Sequence, residues 1–200
     1  MGARVGSLVL ATTNNGKLRD FRLLFEGSGI AIELPAAHGV ALDVAETGAT
    51  FTDNALLKAR AFAAALPGRA VLADDSGLVV EALGGQPGVR SARYAGQPCD
   101  DRANNRLVLR QMEGAGDRRA AFVVVLALVL PDRRELVVEG RCEGTIAFEE
   151  RGSNGFGYDA IFFREDLGCT FGEASPDQKS ARSHRGVAVR KLLAALADQP

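Results

Sequence analysis

The longest apolar run of the chain, AAFVVVLALVLP at residues 120–131, most constrains the fold. It is shorter than the roughly 20 apolar residues of a membrane-spanning helix, and its β-branched side chains favour a buried strand. A second run, RELVVEGRCEGTIAF, follows a turn at Pro131-Asp132. The two runs predict a long β-hairpin, which would form a second lobe of the protein.

The N-terminal part of the chain alternates strands with helices. SLVLAT predicts a buried strand, LRDFRLLFEGSG predicts a helix after the polar turn TNNGK, and IAIELP predicts another strand. This order favours an α/β architecture. Further predicted elements are two short strands around the acidic pair of VLADDSGL, a strand at FGYDAIFF, and helices at 51–67 (capped by Thr50), 100–112 and 185–198. Without a repeat or linker, we predict one domain over residues 1–200.

Charge and cysteine content indicate where the protein works. The net charge of −1 gives no electrostatic reason to expect binding to nucleic acid or to a membrane. The N-terminal MGARVGSLVLATT has only a short apolar run before it becomes polar, unlike a signal peptide. Cys99, Cys142 and Cys169 lack metal-site spacing and predict reduced thiols. We therefore expect a cytoplasmic protein.

The segment ATTNNGK, at residues 11–17, joins the first predicted strand to the first helix. Unpaired N–H groups and the helix dipole at such a turn attract anions, Gly16 lets a ligand approach closely, and Lys17 adds positive charge. The glycine spacing of a Walker motif is missing. The segment therefore indicates either a phosphate-binding turn or a helix cap on Asn14 or Asn15 with an incidental lysine.

Three acids are candidates for a metal site. Glu46 lies in the loop AETGATF, and Asp74 and Asp75 directly follow apolar residues in VLADDSGL. Adjacent carboxylates repel unless water or a cation separates them, and Mg²⁺ is commonly held by one or two carboxylates plus phosphate oxygens. Such a carboxylate can also position or deprotonate a water that attacks phosphorus. The alternative is an ordinary turn, because Asp-Asp-Ser-Gly is favourable turn chemistry.

The segment QKSARSHRG carries three candidate ligands for a substrate. Lys179, His184 and Arg185 lie just ahead of the last predicted helix. Such residues recognise a phosphate or the edge of a nucleobase. The alternative is that they are solvated residues at the start of a helix.

The segment NGFGYDAIFF offers aromatic rings for stacking on a base. Phe156 and Tyr158 flank Gly157, which permits close approach, and Asp159 can accept hydrogen bonds from a base. The alternative is a β-bulge with ordinary core aromatics. Tyr94, in SARYAG, is a weaker stacking candidate.

Five segments together resemble one known family, the inosine triphosphatase-like (Ham1-type) dITP/XTP nucleoside triphosphate pyrophosphatases. The matching blocks, in the order of the family, are ATTNNGK, ETGATFTDNALLKA, ADDSGLVVEALGGQPGVRSARYAG, FGYDAIFF and KSARSHRG. The similarity covers nearly the whole chain. One departure is Asp20, where the family commonly has Glu three residues after the motif lysine. The shorter acid leaves the expected activity unchanged.

The resemblance implies an elongated mixed β-sheet with flanking helices and two lobes around a central substrate cleft, usually in a homodimer. It implies Mg²⁺-dependent hydrolysis of ITP, dITP and XTP to the nucleoside monophosphate and pyrophosphate. The role implied by the resemblance is to cleanse the nucleotide pool, which would keep deaminated purines out of DNA and RNA.

The resemblance also assigns roles to residues. Asp75 would accept a proton from the attacking water, Glu46 and Asp75 would hold the metal, and Asp74 would be a hydrogen-bonding acid behind them. The implied substrate-binding residues are Thr12, Thr13, Asn14, Asn15, Gly16, Lys17, Lys58, Ser76, Phe156, Gly157, Tyr158, Asp159, Lys179, His184 and Arg185.

Two other functions fit parts of the pattern. A nucleotide sensor without turnover would use the same fold, but it has no need of Glu46, Asp75 and Lys17 in metal and base positions. A Maf-like pyrophosphatase would act on modified pyrimidine or methylated nucleotides. The SHRG and FGYD segments favour the inosine type.

Overall fold

The computed structural model describes residues 5–198, whose strands form a seven-stranded sheet flanked by helices. The strands are β1 (Ser7–Leu10), β2 (Ala31–Glu33), β3 (Val71–Val80), β4 (Arg119–Val129), β5 (Glu135–Ile146), β6 (Phe162–Arg164) and β7 (Cys169–Thr170). The α-helices are α1 (Asn15–Phe25), α2 (Phe51–Ala65), α3 (Asp101–Gln111), α4 (Pro176–Arg182) and α5 (His184–Ala197).

Strand pairing makes the sheet mixed. The hydrogen-bonded order is β2-β1-β3-β4-β5-β6-β7. β1 pairs in parallel with β2 and β3, whereas β6 pairs antiparallel with β5 and β7. The predicted α/β architecture with a mixed sheet is therefore confirmed. Within residues 5–198, no helix has the length and apolarity needed to cross a membrane.

The chain divides into two compact units. Unit 1 comprises the chain up to Asp75, Val124–Gly140 and the chain from Arg185 onward, and unit 2 comprises Ser76–Val123 and Arg141–His184. The predicted hairpin of β4 and β5 exists, but the prediction that it forms a second lobe is wrong. Both strands are long enough to contribute one end to each unit.

The apolar run in β4 is a strand buried on both faces, as its composition predicts. In unit 1, Leu126 and Leu128 pack in one core with residues of β1, α1 and α5. Val125 and Ala127 pack in a second core with residues of α2. Because successive strand side chains point to opposite faces, covering both faces requires an uninterrupted apolar sequence.

The acidic pair lies inside a strand. β3 runs unbroken from Val71 to Val80, so the prediction of two short strands around Asp74 and Asp75 is wrong, and so is the turn alternative. Both side chains are buried, at 1% and 5% exposure. Their place in the strand directs them to opposite faces of the sheet, which separates the two charges.

Local capping explains where the helices begin. Asn14 caps α1 and Asp100 caps α3, each by accepting a hydrogen bond from a backbone N–H of the first turn. Thr50 and Asp53 form a reciprocal capping box at the start of α2, which confirms Thr50 as its cap. Such a cap typically contributes about 1 kcal/mol.

Two C-terminal predictions need correction. FGYDAIFF is mostly not a strand, because Gly155 and Gly157 take positive φ values of 77° and 61°, and β6 begins only at Phe162. The segment before the last helix contains a further helix that the sequence analysis does not predict, because Ser175 and Pro176 start α4. His184 and Arg185 belong to the first turn of α5.

Unit 2 holds its glycine- and proline-rich loop by side-chain hydrogen bonds. Ser91 Oγ accepts from Leu78 N at 2.9 Å and donates to Gly88 O at 2.7 Å. Asn104 bonds the backbone of Ala92 and Ala95 through both ends of its amide. The loop is therefore tied down along its length. The cysteines are free thiols, as predicted.

Candidate active site

One face of β3 in unit 1 carries Asp74 among basic side chains. Lys17, from α1, places Nζ 2.9 Å from Asp74 Oδ2. Arg185, from α5, places Nη2 3.7 Å from the same oxygen and Nη1 3.3 Å from Asp20 Oδ2. The helices that cover this face thus supply the cations that compensate the buried aspartate, and the shorter acid Asp20 reaches Arg185.

These cations keep Asp74 ionised. Burial alone would raise the pKa of Asp74, but the charges of Lys17, Arg185 and Lys58 lower it to about 2. Burial lowers the pKa of Lys17, and Lys58 and Arg185 reinforce this effect against the attraction of Asp74. Lys17 therefore lies near two other cations, Lys58 and Arg185, and an additional anion beside it would stabilise its positive charge.

The opposite face of β3 carries Asp75, which contacts helix α2. Asn54 Nδ2 donates to Asp75 Oδ2 at 3.0 Å, and Asn54 Oδ1 accepts from Gly48 N at 2.8 Å. One turn further along α2, Lys58 Nζ donates to Glu46 Oε1 at 2.6 Å and to the carbonyl oxygen of Asp74. Helix α2 therefore connects the Glu46 loop to the acidic strand.

Asp75 differs from its neighbour in protonation behaviour. Burial raises the pKa of Asp75, and the negative charge of Glu46 raises it further, while Lys58 and the hydrogen bond from Asn54 act in the opposite direction. A raised pKa makes a carboxylate a better proton acceptor at neutral pH. The two adjacent aspartates therefore have opposite pKa shifts because they occupy opposite faces of one strand.

The turn before α1 has the helix cap that one interpretation of ATTNNGK predicts. Asn14 caps the helix, with its Oδ1 accepting from Lys17 N at 3.0 Å, and Asn14 N donates to Thr12 Oγ1 at 3.2 Å. Lys17 is not incidental, because it pairs with Asp74. Thr13 and Asn15 are exposed at the turn, whereas Gly16 is buried.

A second set of candidate residues lies in unit 2. Asp159 Oδ2 accepts from Lys179 Nζ at 2.6 Å and from Phe156 N at 2.8 Å. Lys179 Nζ also lies 4.9 Å from the centre of the Phe156 ring. Asp159 and Lys179 are both buried, so this ion pair fixes the turn that carries the half-buried Phe156.

Other aromatic candidates of unit 2 have partners within the fold. The ring of Tyr158 packs in the core, its hydroxyl donates to Ser91 O at 2.8 Å, and burial raises its pKa. Gly157 N donates to Asp101. The Tyr94 hydroxyl lies within hydrogen-bond distance of the side-chain amides of Gln86 and Gln111, at 3.0 Å and 2.6 Å.

The C-terminal basic residues are buried rather than solvated at a helix start. His184 stacks on Phe122, with ring centres 4.9 Å apart. Lys179, His184 and Arg185 are at most 6% exposed, so the solvated alternative is wrong.

Some of the predicted residues group into two clusters, one in each unit. The unit 1 cluster consists of Lys17, Glu46, Lys58, Asp74, Asp75 and Arg185. The unit 2 cluster consists of Phe156, Asp159 and Lys179. Our sequence reasoning missed Asn54, which contacts Asp75. Its spacing of four residues from Lys58 was the available signal, because it places both side chains on one helix face.

Known proteins resemble this chain in both sequence and structure. The sequence model of the Ham1 family matches residues 8–195. The dITP/XTP pyrophosphatases of Geobacillus kaustophilus and Aromatoleum aromaticum are each 47% identical, covering 92% and 96% of this chain and 91% and 98% of their own lengths. The structure of the Staphylococcus aureus Ham1 protein matches with a TM-score of 0.85 and 42% identity, over 96% of this chain and 98% of that one. The chain therefore belongs to the Ham1 family.

Proposed function

We propose that this protein is a Mg²⁺-dependent pyrophosphatase that hydrolyses dITP, XTP and ITP to the monophosphate and pyrophosphate. The observation that carries the proposal is the pair of buried aspartates on opposite faces of β3. Lysine and arginine neutralise one of them, and Asn54 links the other to the loop that carries Glu46. The names of the relatives, dITP/XTP pyrophosphatases, support the substrate class. Cleansing of the cytoplasmic nucleotide pool is the role we infer, and the homodimer is the assembly we expect.

The donor set fits Mg²⁺. Glu46 and Asp75 are carboxylates close enough for the charge of one to raise the pKa of the other, and a cation between them relieves that repulsion. Within residues 5–198, no three His, Cys, Asp or Glu side chains group as a metal site. Two carboxylates are nevertheless what Mg²⁺ commonly takes from a protein, with phosphate oxygens and water completing its shell. When bound, the ion would neutralise charge on the phosphates.

Asp75 is the residue that we assign to proton transfer. Its raised pKa suits a carboxylate that orients a water and accepts a proton from it. The water oxygen would bond to the α-phosphorus as the bond from that phosphorus to the bridging oxygen breaks. Pyrophosphate then leaves with that oxygen.

The two lysines of the unit 1 cluster suit the triphosphate. Lys17 and Lys58 supply positive charge, and phosphoryl transfer depends mainly on positioning and on such electrostatic stabilisation. The turn of Thr12–Lys17 would add backbone N–H groups, with Ser76 a further contact.

Base recognition is the role that we assign to unit 2 residues and to Arg185. Phe156 offers a half-buried ring held in place by Lys179 and Asp159. His184 completes the predicted contacts. Gly157, Tyr158 and Asp159 would contact the base mainly through backbone atoms, because the side chains of Tyr158 and Asp159 are buried. A donor aimed at the 6-oxo group of hypoxanthine or xanthine would lose its hydrogen bond against adenine, at about 1–3 kcal/mol.

Arg185 is a candidate for that donor, and a paired comparison tests it. Lys17 and Arg185 both pair with Asp74, so replacing either removes one cation from the same carboxylate. We expect Arg185→Ala to lower the ratio of kcat/KM for ITP over ATP by about tenfold, because it removes a base-reading hydrogen bond. Lys17→Ala should lower both rates and leave the ratio nearly unchanged. Equal loss of ITP and ATP turnover in Arg185→Ala would contradict the assignment.

The activity itself is tested with a panel of triphosphates. Pyrophosphate release is measured from ITP, XTP, dITP, GTP, ATP and dTTP, with Mg²⁺ and with EDTA. We expect turnover of the first three to exceed that of the others by about tenfold to hundredfold and to require the metal. Saturable binding without turnover of any triphosphate would favour the sensor function. Preference for modified pyrimidine nucleotides would favour the Maf-like activity.

A further inference from the structure

We propose that Asn54 is a positioning residue that sets the separation of Glu46 and Asp75 and so preorganises the divalent-cation site. Its amide connects the backbone two residues after Glu46 to the carboxylate of Asp75. The inference rests on the proposed function, because it takes Glu46 and Asp75 as the metal carboxylates. It concerns a residue outside both the metal ligands and the substrate contacts.

The orientation of the Asn54 amide follows from its partners. A backbone N–H can only donate, so Gly48 N requires the amide oxygen, which it meets at 2.8 Å. The amide nitrogen therefore faces Asp75 Oδ2, at 3.0 Å, and must donate to it. Asn54 is fully buried, so water does not compete for either bond. One oxygen of Asp75 is thereby held in a fixed direction.

The Gly48 contact is close enough to need glycine. A Cβ at this position would lie 2.5 Å from Asp53 Cβ and 2.7 Å from Asn54 Oδ1. Any larger residue must push the Glu46 loop away from the start of α2 and lengthen the bond to Asn54. Gly48 and Asn54 therefore act together to hold the Glu46 loop against the start of α2.

Helix α2 attaches the same loop a second time. Lys58 lies one turn after Asn54, on the same helix face, and its ammonium binds Glu46. The loop is thus fixed at Gly48 through a neutral amide and at Glu46 through a cation. The neutral bond persists when phosphate or metal competes for Lys58 or Glu46, which makes Asn54 the more constant of the two attachments.

Loss of the Asn54 hydrogen bonds would weaken cation binding rather than slow the chemical step. Glu46 and Asp75 carry like charges that repel, and without Asn54 only Lys58 still holds the loop near the acidic strand. A cation would then have to reassemble its ligands. Removal of such a supporting hydrogen bond typically costs 10–100-fold in metal affinity. Because the defect lies in affinity, a high metal concentration should restore turnover.

The test uses Mn²⁺ as a probe, with free ion counted by electron paramagnetic resonance and no substrate present. We expect Asn54→Ala and Gly48→Ala each to weaken Mn²⁺ binding by roughly tenfold or more. In pyrophosphate release, both should raise the half-saturating Mg²⁺ concentration. Gly48→Ala keeps the Asn54 donor to Asp75, so its kcat at saturating Mg²⁺ should stay within about threefold of the unmodified protein. Thr50→Ala is the matched control, because it removes the cap of the same helix and leaves the Asn54 bonds in place.

The outcomes separate the inference from the proposed function. Thr50→Ala should lower the unfolding temperature without changing Mn²⁺ affinity. Unchanged affinity in both Asn54→Ala and Gly48→Ala, or a loss in the kcat of Gly48→Ala that excess Mg²⁺ does not restore, would overturn the positioning role. If Asn54→Ala does not fold, Gly48→Ala decides alone. Failure of the unmodified protein to bind Mn²⁺ would instead overturn the metal assignment of the proposed function, and the inference with it.

Discussion

Asp75→Asn is expected to reduce pyrophosphate release from ITP by at least about 10²–10⁴-fold, the range for loss of a general base. The amide keeps the shape of the side chain and can still accept from Asn54, but it takes no proton and is a poor Mg²⁺ ligand. The measurement is kcat/KM for ITP over a Mg²⁺ series, with EDTA as the blank. Residual activity above one tenth of the unmodified rate would refute the assignment of Asp75 as proton acceptor.

The stability of Asp75→Asn shows whether its loss of activity is confined to the site. Because the folded protein raises the pKa of Asp75 above its ordinary value, the ionised carboxylate is less favourable in the folded than in the unfolded state. Any stabilisation by this group is present below its ordinary pKa and is lost as pH rises through the raised value. At neutral pH, in EDTA, Asp75→Asn should therefore unfold at the same urea concentration as the unmodified protein or at a higher one.

Asp74→Asn is expected to have the larger effect on folding. It leaves the buried cations around it without their shared carboxylate, and breaking such a pair should lower the free energy of unfolding at pH 7 by about 3 kcal/mol. The measurement is urea unfolding at pH 7, 5, 4 and 3. Since Lys17 and Arg185 lose their position as well, turnover should also fall.

The pH dependence of this loss has a defined sign. The folded-state pKa of Asp74, about 2, lies below its ordinary value, so its charge stabilises the fold above that ordinary value. The stabilisation is lost as pH falls through about 2, and the difference between variant and unmodified protein should shrink below roughly pH 4. A difference that is constant from pH 7 to 3 would show that packing, not charge, carries the contribution of Asp74.

Asp117→Asn provides the matched control. A hydrogen bond from Arg119 also lowers the pKa of Asp117 to about 2, but this aspartate is exposed to solvent. Water screens such a surface pair, which then contributes little to stability. The free energy of unfolding should be unchanged in this variant. A loss equal to that of Asp74→Asn would mean that burial does not distinguish the two pairs.

Local signals in the sequence predicted much of the fold correctly. The apolar run of β4 predicted a buried strand, and the structure shows why, because cores lie on both of its faces. Thr50 predicted the start of α2, since a cap acts on residues within one turn. The first helix was predicted from Leu18, but Asn14, one of two alternative caps, starts α1 at Asn15. The same local logic failed at Asp-Asp-Ser-Gly, because turn preference is weak beside the pairing of a central strand.

The candidate site, like the fold, could be predicted from the sequence only in part. The sequence by itself determined which residues carry charge and chemistry, and its five family segments determined the family, because both depend on residue identity and order. Only the tertiary structure decided that Asp74 faces Lys17 and Arg185 while Asp75 faces Asn54. The alternation of a strand separates neighbours by direction, but the helices that cover each face come from distant parts of the chain. Those helices set the opposite pKa shifts of two identical adjacent residues.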